Sequence, residues 1–154
     1  MDALTLRHAT VNEPAVAALL GAHAEHSSTN YPSTSCHTLS QERLGADAEI
    51  ILTLWSAEKV LAVGALVPCP PDGLELKSIH VAEAARGQGF GGKITDALIA
   101  EARARGARAL WLETGASPAS KAARETYASR GFLVCPPFGS YTEDPLSVFM
   151  TLPL

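Results

Sequence analysis

Four glycines fall within six residues of this chain, at Gly87, Gly89, Gly91 and Gly92, between a strand-like and a helix-like stretch. Glycine has no Cβ, so backbone N–H groups in such a loop can turn towards an anion without obstruction. The N-terminus of a helix that follows directly adds free N–H donors and the positive end of the helix dipole. The segment therefore predicts a loop that binds a phosphate-like anion at the start of a helix.

The composition excludes several other classes of function. Twelve Lys and Arg residues against sixteen Asp and Glu residues give a net charge of −4, which argues against binding nucleic acid through bulk charge. Three cysteines without a C-x-x-C pair encode neither a disulfide framework nor a zinc site. There is no apolar run long enough for a membrane span and no signal peptide. We therefore expect one domain over residues 1–154 of a soluble, cytoplasmic protein that binds neither nucleic acid, membrane nor metal.

The hydrophobic pattern predicts the order β-α-α-β-β-β-α-β-α-β-β along the chain. Three strand-like runs joined by short turns predict an antiparallel meander over residues 50–55, 60–67 and 74–81. The second half changes to a helix over residues 91–105 and a short buried strand over residues 109–113, which together make a β-α-β crossover. We therefore predict a mixed α/β domain of the α+β type.

Two nucleotide-binding motifs compete for the glycine cluster, and both fit it incompletely. The P-loop pattern G-x-x-x-x-G-K-[ST] is met up to its lysine, but Ile94 stands where the Mg²⁺-binding hydroxyl should be. Gly87, Gly89 and Gly92 match the dinucleotide spacing G-x-G-x-x-G, with Glu113 about 20 residues further on as a ribose-binding acid. That motif needs a tight turn from strand to glycine, whereas five residues separate the strand from the first glycine here. The preceding strands also form a meander rather than an opening βαβ unit. A small nucleotide-binding protein is the less favoured interpretation.

A third pattern, [QR]-x-x-G-x-[GA], is filled by Arg86, Gly89 and Gly91. Together with the strand ELKSIHV before it and the helix KITDALIAEA after it, this segment resembles the cofactor-binding motif of the GNAT superfamily of acyl-CoA N-acyltransferases. The resemblance implies that backbone N–H groups of the loop hold the pyrophosphate of coenzyme A, and that the preceding strand pairs with its pantetheine arm. The residues it assigns to the cofactor here are Ile79, His80, Val81, Arg86, Gly87, Gln88, Gly89, Phe90, Gly91 and Gly92.

The downstream sequence resembles the same superfamily independently. The family pattern N-x-x-A-x-x-L-Y-x-x-x-G-F ends here on Tyr127, Gly131 and Phe132, while Ser120 replaces its asparagine. That asparagine usually contacts the cofactor or the main chain, so the resemblance assigns part of this contact to the hydroxyl of Ser120.

The tail CPPFGSYTEDPLSVFM closely resembles a bacterial subgroup of acetyltransferases, the YsnE-like proteins, and so does the loop around Ser35 and His37. The resemblance covers most of the chain and is strongest over about residues 74–150. It implies a GNAT-like fold, which is a mixed, mostly antiparallel seven-stranded sheet with a splayed middle and helices on both faces.

The implied activity is transfer of an acetyl group from acetyl-CoA to a primary amine of a small molecule, by direct attack in a ternary complex and without a metal. Such an amine arrives protonated, so a base must remove a proton, and the departing thiolate needs an acid. The resemblance points to Glu75, eleven residues before Arg86, as the base and to Tyr127 as the acid. The alternative is a catalytically inactive CoA-binding or regulatory module. Whether the chain forms a homodimer stays open.

Alternation along the strand over residues 74–81 divides its side chains between two faces. It predicts one face with Glu75, Lys77 and Ile79, and an opposite face with Leu76, Ser78 and His80. Lys77 is therefore expected beside the proposed base, where it can lower the pKa of the carboxyl group or hold a substrate carboxylate.

Two polar loops are candidates for the acceptor site, because binding residues tend to lie on loops held by a rigid scaffold. We expect the amine to enter opposite the cofactor, between residues 35–37 and residues 138–144. In this arrangement an apolar wall comes from Phe138 and Tyr141, and a polar or anionic group of the substrate is fixed by Ser35, His37 and Lys77.

Overall fold

The structure is a computed structural model that describes residues 2–154. Its strands are β1 (Leu4–His8), β2 (Ile50–Ser56), β3 (Lys59–Cys69), β4 (Gly73–Val81), β5 (Ala109–Gly115), β6 (Leu133–Val134) and β7 (Ser147–Pro153). Its α-helices are α1 (Pro14–Asn30), α2 (Gln41–Asp47), α3 (Phe90–Ala104) and α4 (Lys121–Ser129), and short 3₁₀ turns lie at Ser33–Ser35, Glu83–Ala85 and Pro118–Ser120. The predicted order of helices and strands is confirmed. No helix within residues 2–154 is long and apolar enough to cross a membrane.

The seven strands form one sheet in the order β1-β2-β3-β4-β5-β7-β6. Neighbouring strands run antiparallel except β4 and β5, which are parallel and pair only at Leu74 with Leu110 and at Glu75 with Trp111. Beyond these two pairs the strands separate and leave a gap in the middle of the sheet. The predicted seven-stranded, mostly antiparallel sheet with a splayed middle is therefore confirmed.

Helices cover both faces of the sheet, as predicted, and each face has its own core. The α3 helix buries Ile94 and Leu98 against one face, and the α1 helix buries Val16 and Leu19 against the other. Burying an aliphatic side chain of this kind contributes roughly 1.5–3 kcal/mol to folding. The central strands β3 and β4 are thus held from both sides, which fixes the edge of the gap.

Strand β4 carries one extra residue relative to its partner β3. Ala65 pairs with Lys77 and Val63 pairs with His80, so a step of two residues in β3 corresponds to a step of three in β4. Ser78 adopts the left-handed conformation at this β-bulge, with φ of +57°. A bulge shifts the alternation of side chains by one position for every residue that follows it.

The bulge corrects the predicted faces of β4. His80 shares a face with Glu75 and Lys77, towards α1, where its ring contacts that of His23. Ile79 packs instead with Leu76 in the core on the α3 side. The prediction of strict alternation, which put Ile79 beside Lys77 and His80 opposite, is wrong because the extra residue reverses the faces beyond the bulge.

Candidate active site

A cavity of about 490 Å³ occupies the gap between β4 and β5. Its wall includes the glycine segment and the start of α3, and also the end of α1 with the Ser33–Ser35 turn. Side chains from β4, β5 and α4 complete the wall. One cavity therefore connects the predicted anion-binding loop with the side of the sheet that α1 covers.

The glycine segment forms the turn that leads into α3. Gly87 and Gly89 have φ of +78° and +82°, the left-handed region that favours glycine, and α3 begins at Phe90. Within residues 2–154 no side chain caps the N-terminus of α3, so its first N–H groups are available to a ligand. Of the eleven residues predicted to contact the cofactor, ten line the cavity and Gln88 does not.

Tyr31, which no sequence motif marks, lies against the cavity wall beside Ser120. Its hydroxyl is 2.7 Å from Ser120 Oγ and 2.8 Å from Ser117 Oγ, and it accepts a hydrogen bond from the backbone N–H of Ser117. Gly115 makes room for it, since a Cβ at that position would overlap the phenol. The Ser120 hydroxyl, expected to replace part of the family's asparagine contact, is thus engaged by the residue that directly follows α1.

Glu113 of β5 is the one carboxylate among the residues that line the cavity. Burial is the main cause that raises the pKa of Glu113 to about 7, while Lys77 opposes the rise and Glu75 and Asp144 add to it. A carboxyl group with a pKa near neutrality can both accept and release a proton, which makes Glu113 a candidate general base. The available sequence signal was an acid at the end of the buried strand predicted over residues 109–113.

Tyr127, the predicted acid, lines the same cavity from α4 and is only 7% exposed. Burial, with the charge of Glu113 as a second cause, raises the pKa of the Tyr127 phenol above its ordinary value. The hydroxyl therefore keeps its proton at neutral pH and can donate it. The cavity thus holds a carboxylate that can accept a proton and a phenol that can supply one.

Glu75, the predicted base, does not line the cavity and belongs to a network behind its wall. Its carboxylate accepts a hydrogen bond from the Tyr141 hydroxyl at 2.7 Å and lies 3.4 Å from Lys77 Nζ. Lys77, which does line the cavity, also donates to the Tyr141 hydroxyl and to the backbone oxygen of His37 at 2.9 Å. The contacts of Glu75 are therefore with Lys77 and Tyr141, outside the cavity lining.

The two predicted acceptor loops touch each other at the edge of the cavity. Ser35 donates a hydrogen bond to the Asp144 carboxylate at 2.6 Å, and the rings of His37 and Tyr141 pack edge to face with centroids 5.2 Å apart. Ser35 and His37 line the cavity, whereas Tyr141 and Phe138 do not. The structure brings the predicted loops together but sets the two aromatic rings one layer behind the wall.

Three histidines cluster on the α1 side of the cavity, where the bulge has turned His80. His80 Nδ1 lies 3.3 Å from His23 Nδ1, and the ring centroid of His26 is 5.9 Å from that of His80. Burial, assisted by neighbouring positive groups, lowers the pKa of His80 to about 3 and that of His23 to about 4. Both imidazoles are therefore neutral at pH 7. In the part of the chain that is described, no group of three or more His, Cys, Asp or Glu could hold a metal ion.

The two buried histidines predict a loss of stability in mild acid. Because their pKa values are lower in the folded state, only the unfolded chain takes up these protons as the pH falls below about 6.5. The free energy of unfolding should then fall by up to about 1.4 kcal/mol per pH unit for each histidine. Denaturant titrations at several pH values measure this slope. The slope of the free energy of unfolding against pH should be smaller in His23→Gln, whereas His8→Gln, at an exposed position, should keep the wild-type slope. Equal slopes in the wild type and both variants would contradict the lowered pKa values of the buried histidines.

The sequence matches the model of the acetyltransferase (GNAT) family over residues 18–132, which is more than half of the chain. The chain belongs to this family. The predicted membership in the GNAT superfamily is therefore confirmed. The matched region of this GNAT protein begins within α1 and ends just after α4, so it includes the glycine segment, Glu113 and Tyr127.

Similar proteins carry related names. This GNAT protein is 33% identical over 136 residues to YsnE, an uncharacterized N-acetyltransferase of Bacillus subtilis (strain 168), with 88% of this chain and 90% of the relative covered. It is 37% identical over 125 residues to an IAA acetyltransferase of Azospirillum brasilense, with 80% of each chain covered. The crystal structure of a GNAT family acetyltransferase from Elizabethkingia anophelis with acetyl-CoA bound has a TM-score of 0.74 at 20% identity and covers 100% of both chains. This last likeness shows the shared fold.

Proposed function

We propose that this GNAT protein transfers the acetyl group of acetyl-CoA to a primary amine of a small molecule, by direct attack in a ternary complex. One observation carries the proposal: a single cavity in the β4–β5 gap is lined by the glycine segment and by both Glu113 and Tyr127. A donor held by the loop and an amine entering from the α1 side can meet beside these two groups. Direct attack requires this, since both reactants must be held close and correctly oriented.

The residues around the gap suit a long, anionic thioester donor. Beyond its last pair with β5, at Glu75, the edge of β4 offers backbone N–H and C=O groups to the amides of a pantetheine arm. The glycine segment and the N-terminus of α3 offer N–H donors to a diphosphate, and Arg86 adds a positive charge there. The acetyl-CoA bound in the Elizabethkingia structure, which has the same fold, supports this choice of donor.

Glu113 is the group that we assign as the base. An alkylammonium with a pKa of about 10.4 must lose a proton before its nitrogen can attack a thioester carbonyl. Glu113, with its pKa raised to about 7, accepts that proton as the new C–N bond forms. Backbone N–H groups of residues 79–81, beside the bulge, are the candidates to stabilise the oxyanion that develops on the carbonyl oxygen.

Tyr127 is the group that we assign as the acid. As the C–S bond breaks, Tyr127 donates its phenolic proton to the sulfur, which leaves as a thiol. The proton held by Glu113 returns through solvent to the Tyr127 phenolate, and both groups regain their starting states. The nitrogen loses its second proton to solvent as the amide forms, so the products are the N-acetylated amine, free CoA and one proton, and atoms and charges balance.

The variant Tyr127→Phe should lower kcat by roughly 10–100-fold, the lower part of the range for general acid catalysis. The effect is limited because a thiolate is a good leaving group even without an acid. The pKa of the thiol that it forms is near that of cysteine, about 8.5. The phenylalanine ring can keep its packing against Phe132, so affinity for acetyl-CoA should not change. Steady-state kinetics and calorimetry measure both quantities, and a wild-type kcat in the variant would rule out the acid role.

Two measurements test the proposed function itself. Calorimetric titrations with acetyl-CoA, CoA, NAD⁺ and ATP should show binding of the first two ligands only. A panel of primary amines, assayed for thiol release from acetyl-CoA, should give turnover, and IAA is assayed beside the panel because one relative carries it in its name. Binding of acetyl-CoA without turnover of any acceptor would instead support the catalytically inactive CoA-binding module.

A further inference from the structure

The charges on the wall of the cavity limit what kind of acceptor it can hold. Among the residues that line it, Lys77 is the one lysine, Arg86 the one arginine and Glu113 the one carboxylate. Arg86 stands at the glycine segment, where we place the diphosphate of the donor. Lys77 is therefore the one fixed cation left that could pair with an anionic group of the acceptor.

The ammonium of Lys77 is already engaged by groups of the protein. Nζ donates two hydrogen bonds, to the backbone oxygen of His37 at 2.9 Å and to the Tyr141 hydroxyl, and it forms an ion pair with the Glu75 carboxylate at 3.4 Å. Glu75 also balances its charge. A substrate carboxylate that captured Lys77 would leave the buried Glu75 without its counter-charge, which is strongly unfavourable.

Three of the four histidines that line the cavity, His23, His37 and His80, supply no positive charge at neutral pH. Burial, followed by the charge of Lys77, lowers the pKa of His37, and burial lowers those of His23 and His80 further. All three imidazoles are thus neutral at pH 7. They present aromatic rings and hydrogen-bonding nitrogens to the cavity, and Tyr31 adds a phenol ring.

Two carboxyl groups, those of Asp144 and Glu113, lie on the acceptor side of the cavity. Asp144 accepts a hydrogen bond from Ser35 at 2.6 Å, which is the main cause that lowers the pKa of this carboxyl group. The Ser35 hydroxyl proton is committed to that bond and cannot serve a substrate carboxylate. Glu113 lies in the cavity wall itself. The expectation that Ser35, His37 and Lys77 fix an anionic group therefore does not fit their contacts.

We propose that the acceptor is a cationic amine with no carboxylate beside its amino group, such as an arylalkylamine or an amino-acid amide. This inference rests on the proposed acetyl transfer. An ammonium is attracted by Glu113 and Asp144, and the phenol ring of Tyr31 favours a cation. The histidine rings add surface that an aromatic or apolar body can contact. A free α-amino acid brings an uncompensated anion into the same space, which costs desolvation without a partner.

Matched acceptors test this proposal. For tyrosine, tryptophan, histidine and leucine, the free amino acid, its amide and its decarboxylated amine are each assayed with acetyl-CoA and the full chain. The amide is a weaker base than the amino acid and the decarboxylated amine is a stronger one, so a preference for both over the acid is not an effect of amine pKa. In the set with the highest turnover, we expect kcat/KM for the amide and for the amine to be at least about 100-fold higher than for the free amino acid.

The variant Asp144→Asn gives a second readout, because it removes a charge and keeps an acceptor for the Ser35 hydrogen bond. In this variant the KM for the free amino acid should fall. The ratio of kcat/KM for the amide or the amine to that for the free amino acid should become smaller. Equal or better use of the free amino acid in any set that turns over would overturn the inference and leave acetyl transfer standing. Turnover of no amine in any set, while acetyl-CoA binds, would overturn the proposed function and this inference with it.

Discussion

Replacing Gly91 with aspartate is expected to weaken acetyl-CoA binding by roughly 100-fold or more, about 2.7 kcal/mol, while the fold is retained. Gly91 lies in the first turn of α3 and lines the cavity. A Cβ there would lie 3.5 Å from Val81 Cγ2, an ordinary van der Waals contact, so the backbone need not move. The new carboxylate would take the N–H donors that the diphosphate needs and repel its charge. An acid in the first turn of a helix is itself favourable, so the free energy of unfolding should not fall.

The variant Gly91→Asn is the matched control, because asparagine has the shape of aspartate without its charge. It should lose much less affinity for acetyl-CoA than Gly91→Asp. Position 89 gives a less clean test, since Gly89 has φ of +82° and a side chain there strains the backbone as well. Calorimetry measures the affinity and thermal denaturation checks the fold. A folded Gly91→Asp protein that binds acetyl-CoA as tightly as the wild type would show that the glycine segment does not hold the diphosphate.

The meander β2–β3–β4 could be predicted from the sequence because its signals are local. Apolar runs mark the strands, and the Pro- and Gly-rich residues 68–73 mark a turn. The ends of the strands moved by one or two residues, so that β3 covers Lys59–Cys69 rather than residues 60–67. The gap between β4 and β5 has no comparable local signal. It could be expected only from the resemblance to the GNAT superfamily.

The faces of β4 could not be predicted, because nothing in the sequence marks the bulge. Positive φ is common for glycine and uncommon for other residues, yet Ser78 has φ of +57°. One extra residue in β4 reversed the predicted faces of Ile79 and His80. The histidine cluster on the α1 side is therefore a consequence of backbone geometry that a pattern of period two cannot contain.

The remaining differences at the site arise from contacts between distant segments. Tyr31 reaches Ser120 across 89 positions of the chain, and Tyr141 reaches Glu75 across 66. Neither contact leaves a trace in local spacing. Glu113 acquires its raised pKa chiefly from burial, which is a property of the assembled fold rather than of the strand that carries it.

Replacing Glu113 with glutamine should lower kcat by roughly 10²–10⁴-fold, the range for loss of a general base. Glutamine keeps the size of the side chain but cannot accept a proton, so affinity for acetyl-CoA should be unchanged. The pH dependence gives a sharper readout. Glu113 acts as a base only when ionised and its pKa is raised to about 7, so wild-type kcat should increase as the pH rises through that value. The variant should lack this increase.

The variant Glu75→Gln is the matched comparison, since it removes a carboxylate that Tyr141 and Lys77 hold outside the cavity lining. Loss of its charge leaves Lys77 without a counter-charge, so the fold should be destabilised while the increase of kcat with pH remains. The pH profile decides between the two carboxylates better than the size of the loss in kcat, because a disturbed network can slow turnover from a distance. Only removal of the base itself can remove its titration from the profile. If Glu75→Gln abolishes the increase and Glu113→Gln preserves it, the base is Glu75 and our assignment of Glu113 is wrong.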